Sequence, residues 1–343
     1  MDRAEGAVAP PAHARRAKAL LGWLLALAAL AWVLHDVRLS ELAPYFAQIS
    51  WPWILPAIAF DLLTYVSQGL RWSLLLHPQG RLSWLRATQA IYAGLFTNEV
   101  VPLRFGEVVR AFLAARWMGV SMLAVVPSMA VERLFDAAWL ALAAALTAIY
   151  VPLPGNLARV ADALGIAVLA LTAIFVVFAF RARQPLEMPQ HGSGFVRALR
   201  RAIAQVGMGL RQIGVSRALY LSFAVSLLLP LGQAAAFWTT MRAYGLQRSL
   251  WIAVIVFLIV RLGTMLPNAP ANVGSFQFFC VLGLTLFGVD KTAATGFSFL
   301  VFAVLTVPLW ALGLLALTRS GVTISEIRER WEALRRSNPR PGS

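Results

Sequence analysis

Thr97–Arg116 reads TNEVVPLRFGEVVRAFLAAR and holds Asn98, Glu99, Arg104, Glu107, Arg110 and Arg116, with Pro102 and Gly106 among them. Two more sets of polar residues have helical spacing. Asp61, Thr64, Gln68 and Arg71 stand three, four and three residues apart, which aligns them on one helix face. Glu132, Arg133 and Asp136 form the other set, and Asp136 lies one turn beyond its neighbours, so Arg133 can be neutralised within its own helix. Pro102 and Gly106 break the helix and free backbone N–H groups, and a helix starting near Gly106 turns the positive end of its dipole inward. Arg104 beside that end makes an anion receptor. Glu99 and Glu107 can hold a cationic group or balance the arginine, so the stretch can read both signs of a zwitterion. Read as structure alone, Arg104–Glu107 and Arg133 with Glu132 or Asp136 are internal ion pairs that join helices, and Arg71 and Arg110 snorkel to an interface.

The elements that carry these charges are unusually apolar. The chain of 343 residues is 59% hydrophobic and only 13% charged, against roughly 25% charged in soluble domains. This is the composition of an integral membrane protein. Its net charge of +15 comes from basic residues just beyond apolar runs, the placement that sets topology and touches anionic lipid rather than nucleic acid. A lone cysteine, Cys280, excludes an internal disulfide, and four scattered histidines give no metal-ligand spacing. No cofactor is expected, and no GxxxxGK[ST] phosphate loop is present.

A spanning helix needs about 20 apolar residues. Candidates are Ala19–Leu34, Ile54–Leu76, Met122–Tyr150, Ile166–Phe180, Leu219–Met241 and Thr292–Leu317. The first follows Arg15, Arg16 and Lys18 and reads as an uncleaved span. Two further apolar regions, Trp84–Val101 with Glu107–Met118 and Leu250–Leu266 with Val273–Phe287, are interrupted by Pro, Gly and Asn. The expected fold is an all-α polytopic membrane protein with six spans plus two re-entrant helical hairpins, or eight spans. Lys and Arg concentrate in residues 1–18, 77–120, 181–217 and 319–343, which six spans place together on the cytoplasmic side with both termini. Within the basic loop 181–216 and just past it, Phe195–Ile213 has an apolar face ringed by arginines and suits an interfacial helix. Thr323–Glu326 reads as a capping box for a short helix through Arg336 in the tail 319–343.

The interrupted regions also match each other. Trp72 and Trp238, Trp84 and Trp251, Pro102 and Pro267, Gly106 and Gly274, and Gly119-Val120 and Gly288-Val289 recur at a nearly constant offset. Residues 51–150 and 217–318 thus form two units inside a transmembrane domain 19–318, each a span, a hairpin and a span. One odd span between them makes the repeat inverted, as in many secondary transporters. The partner of the first hairpin tip, LPNAPANVGSFQ at Leu266–Gln277, has the same breaks but is neutral apart from nearby Arg261.

Asn98-x3-Pro102-x-Arg104-x-Gly106-Glu107-x2-Arg110, Gly119-Val120-Ser121 and Glu132-Arg133-x2-Asp136, with Arg71-Trp72 upstream, resemble the lysylphosphatidylglycerol synthase transmembrane (flippase-like) family. Leu266-Pro267, Pro270, Gly274 and Gly288-Val289 extend the resemblance over roughly 15–320. Where that family often has Gly-Gly and a Glu, this chain has Ala271-Asn272 and Gln277. The resemblance implies a lipid-handling protein of the bacterial inner membrane, whose best-known relatives move an aminoacylated phospholipid between leaflets. The short tail after Leu317 makes an aminoacyl transferase domain unexpected, so lipid modification would fall to a separate enzyme. The expected function is therefore translocation of a phospholipid or other polar-headgroup lipid, with no enzymatic role. The residues expected to bind the headgroup are Arg104, Glu107, Asn98, Glu99, Arg110, Arg71, Asp61, Glu132, Arg133 and Asp136. Ion coupling through Asp61 or Glu107 is open. The alternatives are a membrane enzyme or assembly subunit acting on lipid- or polyprenol-linked glycans, and a transporter of soluble solutes.

Overall fold

A computed structural model describes residues 12–37, 39–100, 105–150, 216–264 and 270–322, with isolated positions between 208 and 214. The proposed span Ile166–Phe180, most of Phe195–Ile213, the capping box at Thr323–Glu326, Arg104 and Leu266-Pro267 lie outside the described residues. All regular structure among the described residues is helical: α1 (Ala12–Leu34), α2 (Leu39–Ala47), α3 (Trp51–Leu76), α4 (Trp84–Val100), α5 (Gly106–Met118), α6 (Met122–Tyr150), α7 (Arg217–Ser226), α8 (Leu228–Ala243), α9 (Leu250–Gly263), a 3-10 turn at Pro270–Asn272, α10 (Ser275–Thr285) and α11 (Lys291–Arg319).

Among these, α3, the continuous stretch α7–α8 and α11 are long and apolar enough to cross a membrane. With 26 residues, α3 extends about 39 Å, more than the hydrocarbon core of about 30 Å. Pro52 stands in its first turn, where a missing N–H costs nothing. Its two faces differ sharply. Asp61, Thr64, Arg71 and Trp72 are buried, whereas Leu55 is 72% exposed and Leu63 60%. An outer face of exposed leucine over an inner face of charge reverses the arrangement of a soluble helix and fits lipid outside. The 29-residue α6 repeats it, with Glu132 and Asp136 buried and Ile149 75% exposed.

The expected span Leu219–Met241 is two helices, α7 and α8, that meet at Leu227. Pro230 has no N–H to give the carbonyl of Ser226 four residues back, which loosens the ladder there. Nor was α2 anticipated; it is a short amphipathic helix whose buried Leu42 turns inward, and it packs against α11.

The order long, short, short, long occurs twice, as α3–α6 and as α7–α11. The packing is paired as well. The helices of the first unit touch in chain order, α3 on α4, α4 on α5 and α5 on α6, and those of the second do the same, α8 on α9, α9 on α10 and α10 on α11. Between units α11 lies on α4 as α6 lies on α9, with α3 and α8 in extensive mutual contact. The second hairpin's 3-10 turn packs against α4 of the first. Each hairpin ends alike. Gly119 (φ 68°) and Gly288 (φ 71°) take the left-handed conformation, and Val120 and Val289 donate back to the carbonyls of Ala115 and Leu284 at 3.0 and 3.2 Å. That six-to-one bond needs a residue without a Cβ penalty at the turn, which explains both glycines.

Candidate functional site

The inner face of α3 meets α6, α7 and α8, and the buried charges gather there. Arg71 is the centre. Its Nε and Nη2 donate to Glu132 Oε1 at 3.2 and 3.0 Å, and Nη1 donates to Ser226 Oγ at 3.3 Å. The same Nη1 also donates to Asp136 Oδ1. Glu132 uses its second oxygen, Oε2, to accept from Arg110 Nη2. The Arg110 guanidinium lies 3.9 Å from the centre of the Trp72 ring, a desolvated cation–π contact that contributes up to about 2 kcal/mol. Trp72 is held in turn by donating Nε1–H to Ser128 Oγ at 3.0 Å. The side chains of Arg71 and Glu132 are each 2% exposed and those of Arg110 and Asp136 each 9%. Two arginines and two carboxylates cancel, which makes their burial tolerable.

The chain of charges continues outward. Arg133 Nη1 is 4.0 Å from Asp136 Oδ2, and Arg133 Nη2 donates to Glu107 Oε1. Arg133 and Glu107 are 58% and 34% exposed. In order, Arg110, Glu132, Arg71, Asp136, Arg133 and Glu107 alternate in sign from a sealed interior to an accessible edge. Glu107 stands one helical turn before Arg110, so the series returns to α5, where it began.

This arrangement decides between the local partners of Arg133 and corrects one expectation. Of the two local partners expected for Arg133, Asp136 is in place at 4.0 Å and Glu132 is not: adjacent residues on a helix point apart, and Glu132 turns to α3 and α5 while Arg133 also reaches Glu107. Glu107 is paired with Arg133; the expected Arg104–Glu107 pair falls on Arg104, outside the described residues. Arg71 and Arg110 do not snorkel; both are buried and paired.

Other expected site residues have local duties. The hairpin brings Gly94 and Gly106 together, and Asn98 Oδ1 accepts the Gly106 N–H at 2.7 Å. Asn98 therefore caps α5 and spends its acceptor on the backbone. The second hairpin uses the same device, for Gln277 Oε1 accepts the Gly274 N–H at 2.8 Å. A neutral amide does this work without charge, which accounts for Gln277 in place of a glutamate. Ala271 (φ 58°) and Asn272 (φ 54°) occupy left-handed backbone, which explains why Gly-Gly suits these positions. Glu99 Oε2 accepts from Trp310 Nε1 at 3.5 Å. Asp61 is apart, ten residues before Arg71, or about 15 Å along the helix.

Asn98→Ala should lower stability by about 1–3 kcal/mol, the cost of stranding a buried N–H. Denaturant unfolding of purified protein in detergent measures it, and an unchanged transition would show that the cap is dispensable. Sequence reasoning missed Trp72, Ser128 and Ser226 as parts of the site. The adjacency of Trp72 to Arg71 and the position of Ser226 four residues before Pro230 were the available signals.

Among the described residues no group of His, Cys, Asp and Glu could hold a metal ion. The charges are mutually satisfied, and what they can offer a ligand is exchange of partners: a phosphate for a carboxylate, or an ammonium for an arginine. A comparison with curated proteins finds no match. Residues 19–335 match the family described as the lysylphosphatidylglycerol synthase TM region, so this apolar helical chain, with its buried series of charges, belongs to that family of lipid-related membrane proteins.

Proposed function

We propose that the protein translocates a phospholipid or other polar-headgroup lipid between the leaflets of a bacterial inner membrane. The observation that carries this reading is the alternating series of charges from buried Arg71 to the accessible Arg133–Glu107 pair. A headgroup entering at that edge meets one cation and one anion already joined, and it can take the place of each in turn. Its phosphate displaces Glu107 from Arg133, and its cationic part, where it has one, pairs with Glu107. Arg104, three residues before Glu107, is assigned to the same phosphate. A surface cleft lined by His77, Arg81 and Arg86 at the α3–α4 turn adds positive charge near the same end of α3. The paired contacts of the two helical units support an inverted repeat, and the placement of Lys and Arg supports cytoplasmic termini. The acyl chains stay in lipid, and no bond is made or broken. Modification of the lipid belongs to a separate enzyme.

The test uses pure protein in liposomes with a fluorescent phospholipid and the double variant Glu107→Leu with Arg133→Leu. Both charges of an accessible pair leave together, so the variant should fold and reach the liposome. Its translocation should fall at least about tenfold, equivalent to ~1.4 kcal/mol in the barrier. Near-normal transport by the folded double variant would reject the site. Chemical conversion of the lipid would favour an enzyme on lipid-linked substrates instead.

A further inference from the structure

Asp61 is a buried carboxyl group that the series of charges leaves unused. It lies near the middle of α3 and is 1% exposed. Neither Oδ1 nor Oδ2 has a hydrogen-bond partner. A bare carboxylate in the middle of a span is among the costliest groups a membrane protein can hold, whereas the neutral acid is far cheaper to bury. Glu107, the other candidate for ion coupling, is partly exposed and paired with Arg133, so this argument does not extend to it.

Among the described residues, the surroundings of Asp61 supply no counter-charge. Its electrostatic neighbours are Tyr65 one turn along α3 and Tyr92 on α4, whose rings meet edge to face at 5.6 Å. Arg261 of α9 and Glu99 of α4 act on Tyr65, and Arg261 has a partner of its own. Of the other helices packed on α3, α6 directs Glu132 and Asp136 to Arg71, and α8 holds Arg242 against Gln247 and Trp238. The remaining titratable groups are Arg86 of α4, Arg133 and Tyr150 of α6, Arg217 and Tyr220 of α7 and Lys291 and Arg319 of α11; Arg133 pairs with Glu107 and Lys291 donates to the His35 carbonyl. None of these acts on Asp61. On α8, Gly232 abuts Thr64 and the Phe60 carbonyl, on either side of Asp61 along α3, and the next residue, Gln233, also has its Oε1 buried without a donor. Asp61 and Gln233 each leave an acceptor unpaired where α3 packs on α8, and the hydroxyl of a protonated carboxyl is a donor.

We infer that Asp61 is a proton-binding site at mid-membrane, loaded while α3, α4 and α8 are packed together and emptied into water when they part. The proton passes from the carboxyl oxygen to a water molecule and leaves a carboxylate that must be hydrated until it is reloaded. Proton movement is thereby tied to helix separation; its use to drive lipid movement rests on the transport reading above.

Asp61→Asn has the shape of the neutral acid and should fold as the parent does. The infrared spectrum of the parent at neutral pH should contain a protonated-carboxyl C=O band that Asp61→Asn lacks. Identical carboxyl spectra would overturn the site. In liposomes the parent should translocate lipid faster under an imposed pH gradient than without one, and in Asp61→Asn the ratio of the two rates should fall to one. Equal acceleration in both would overturn the coupling. If neither protein moved lipid under any condition, the transport reading would fail, and the infrared comparison would still decide the site.

Discussion

Glu132→Ala is expected to be the most destabilising single substitution in the described interior. It removes the acceptor for both Arg71 and Arg110, leaving Arg71 with Asp136 and Ser226 and Arg110 with the Trp72 ring alone. Breaking a buried pair from one side costs about 3–5 kcal/mol, and here two arginines share the loss. Thermal unfolding in detergent should shift strongly downward, or folded protein should fail to accumulate. The informative companion is Arg71→Met with Asp136→Leu, which removes one charge of each sign and leaves Arg110 with Glu132. That double variant should be closer to the parent than Glu132→Ala, because replacing both members of a buried pair by apolar groups is often neutral. Should Glu132→Ala unfold with the parent, the charges are not coupled as described.

Gly106→Ala should open the first hairpin. A Cβ there would run into the Gly94 carbonyl oxygen and lie 2.6 Å from Asn98 Oδ1. The first obstacle is backbone, so no rotamer change relieves it, and α4 and α5 must separate. Overpacking costs typically about 1–3 kcal/mol, and the lost Asn98 bond adds about 1 kcal/mol. Gly80→Ala is the control, since its Cβ would make only ordinary contact with Met118 from 3.5 Å. Comparable unfolding of the two variants would show that the close approach of Gly94 and Gly106 does not hold the hairpin. A large loss only at Gly106 would support it.

The elements were legible because their signals are local. Apolar runs ended by Pro and Gly located α3, α6 and α11 to within a few residues, and the matched Gly-Val pairs marked the ends of both hairpins. The polar face of α3 was legible too, since spacing alone puts Asp61, Thr64 and Arg71 together. Partners were not legible. Periodicity states which residues share a face but not which helix that face meets, so the pairing of Glu107 with Arg133, which is 26 residues on, was not anticipated. Glu132 and Arg133 show the limit most clearly: adjacent in sequence, they serve opposite sides of one helix. The break at Leu227 was missed because the stretch is apolar throughout, and only Pro230 signals it.

The pairing of α3 with α6 also has a consequence for how the chain enters the bilayer. Arg71 and its acceptor Glu132 are separated by 61 residues. At roughly 5–20 residues per second, a ribosome needs about 3–12 s to make the intervening chain. Throughout that interval α3 holds an arginine with no counter-ion from α6. Such a charge at a helix centre carries an insertion penalty of about 2.5–3.5 kcal/mol, less toward the end, where Arg71 stands. That penalty is relieved only when α6 brings Glu132 to Arg71, so the insertion of α3 is completed by a helix made seconds later.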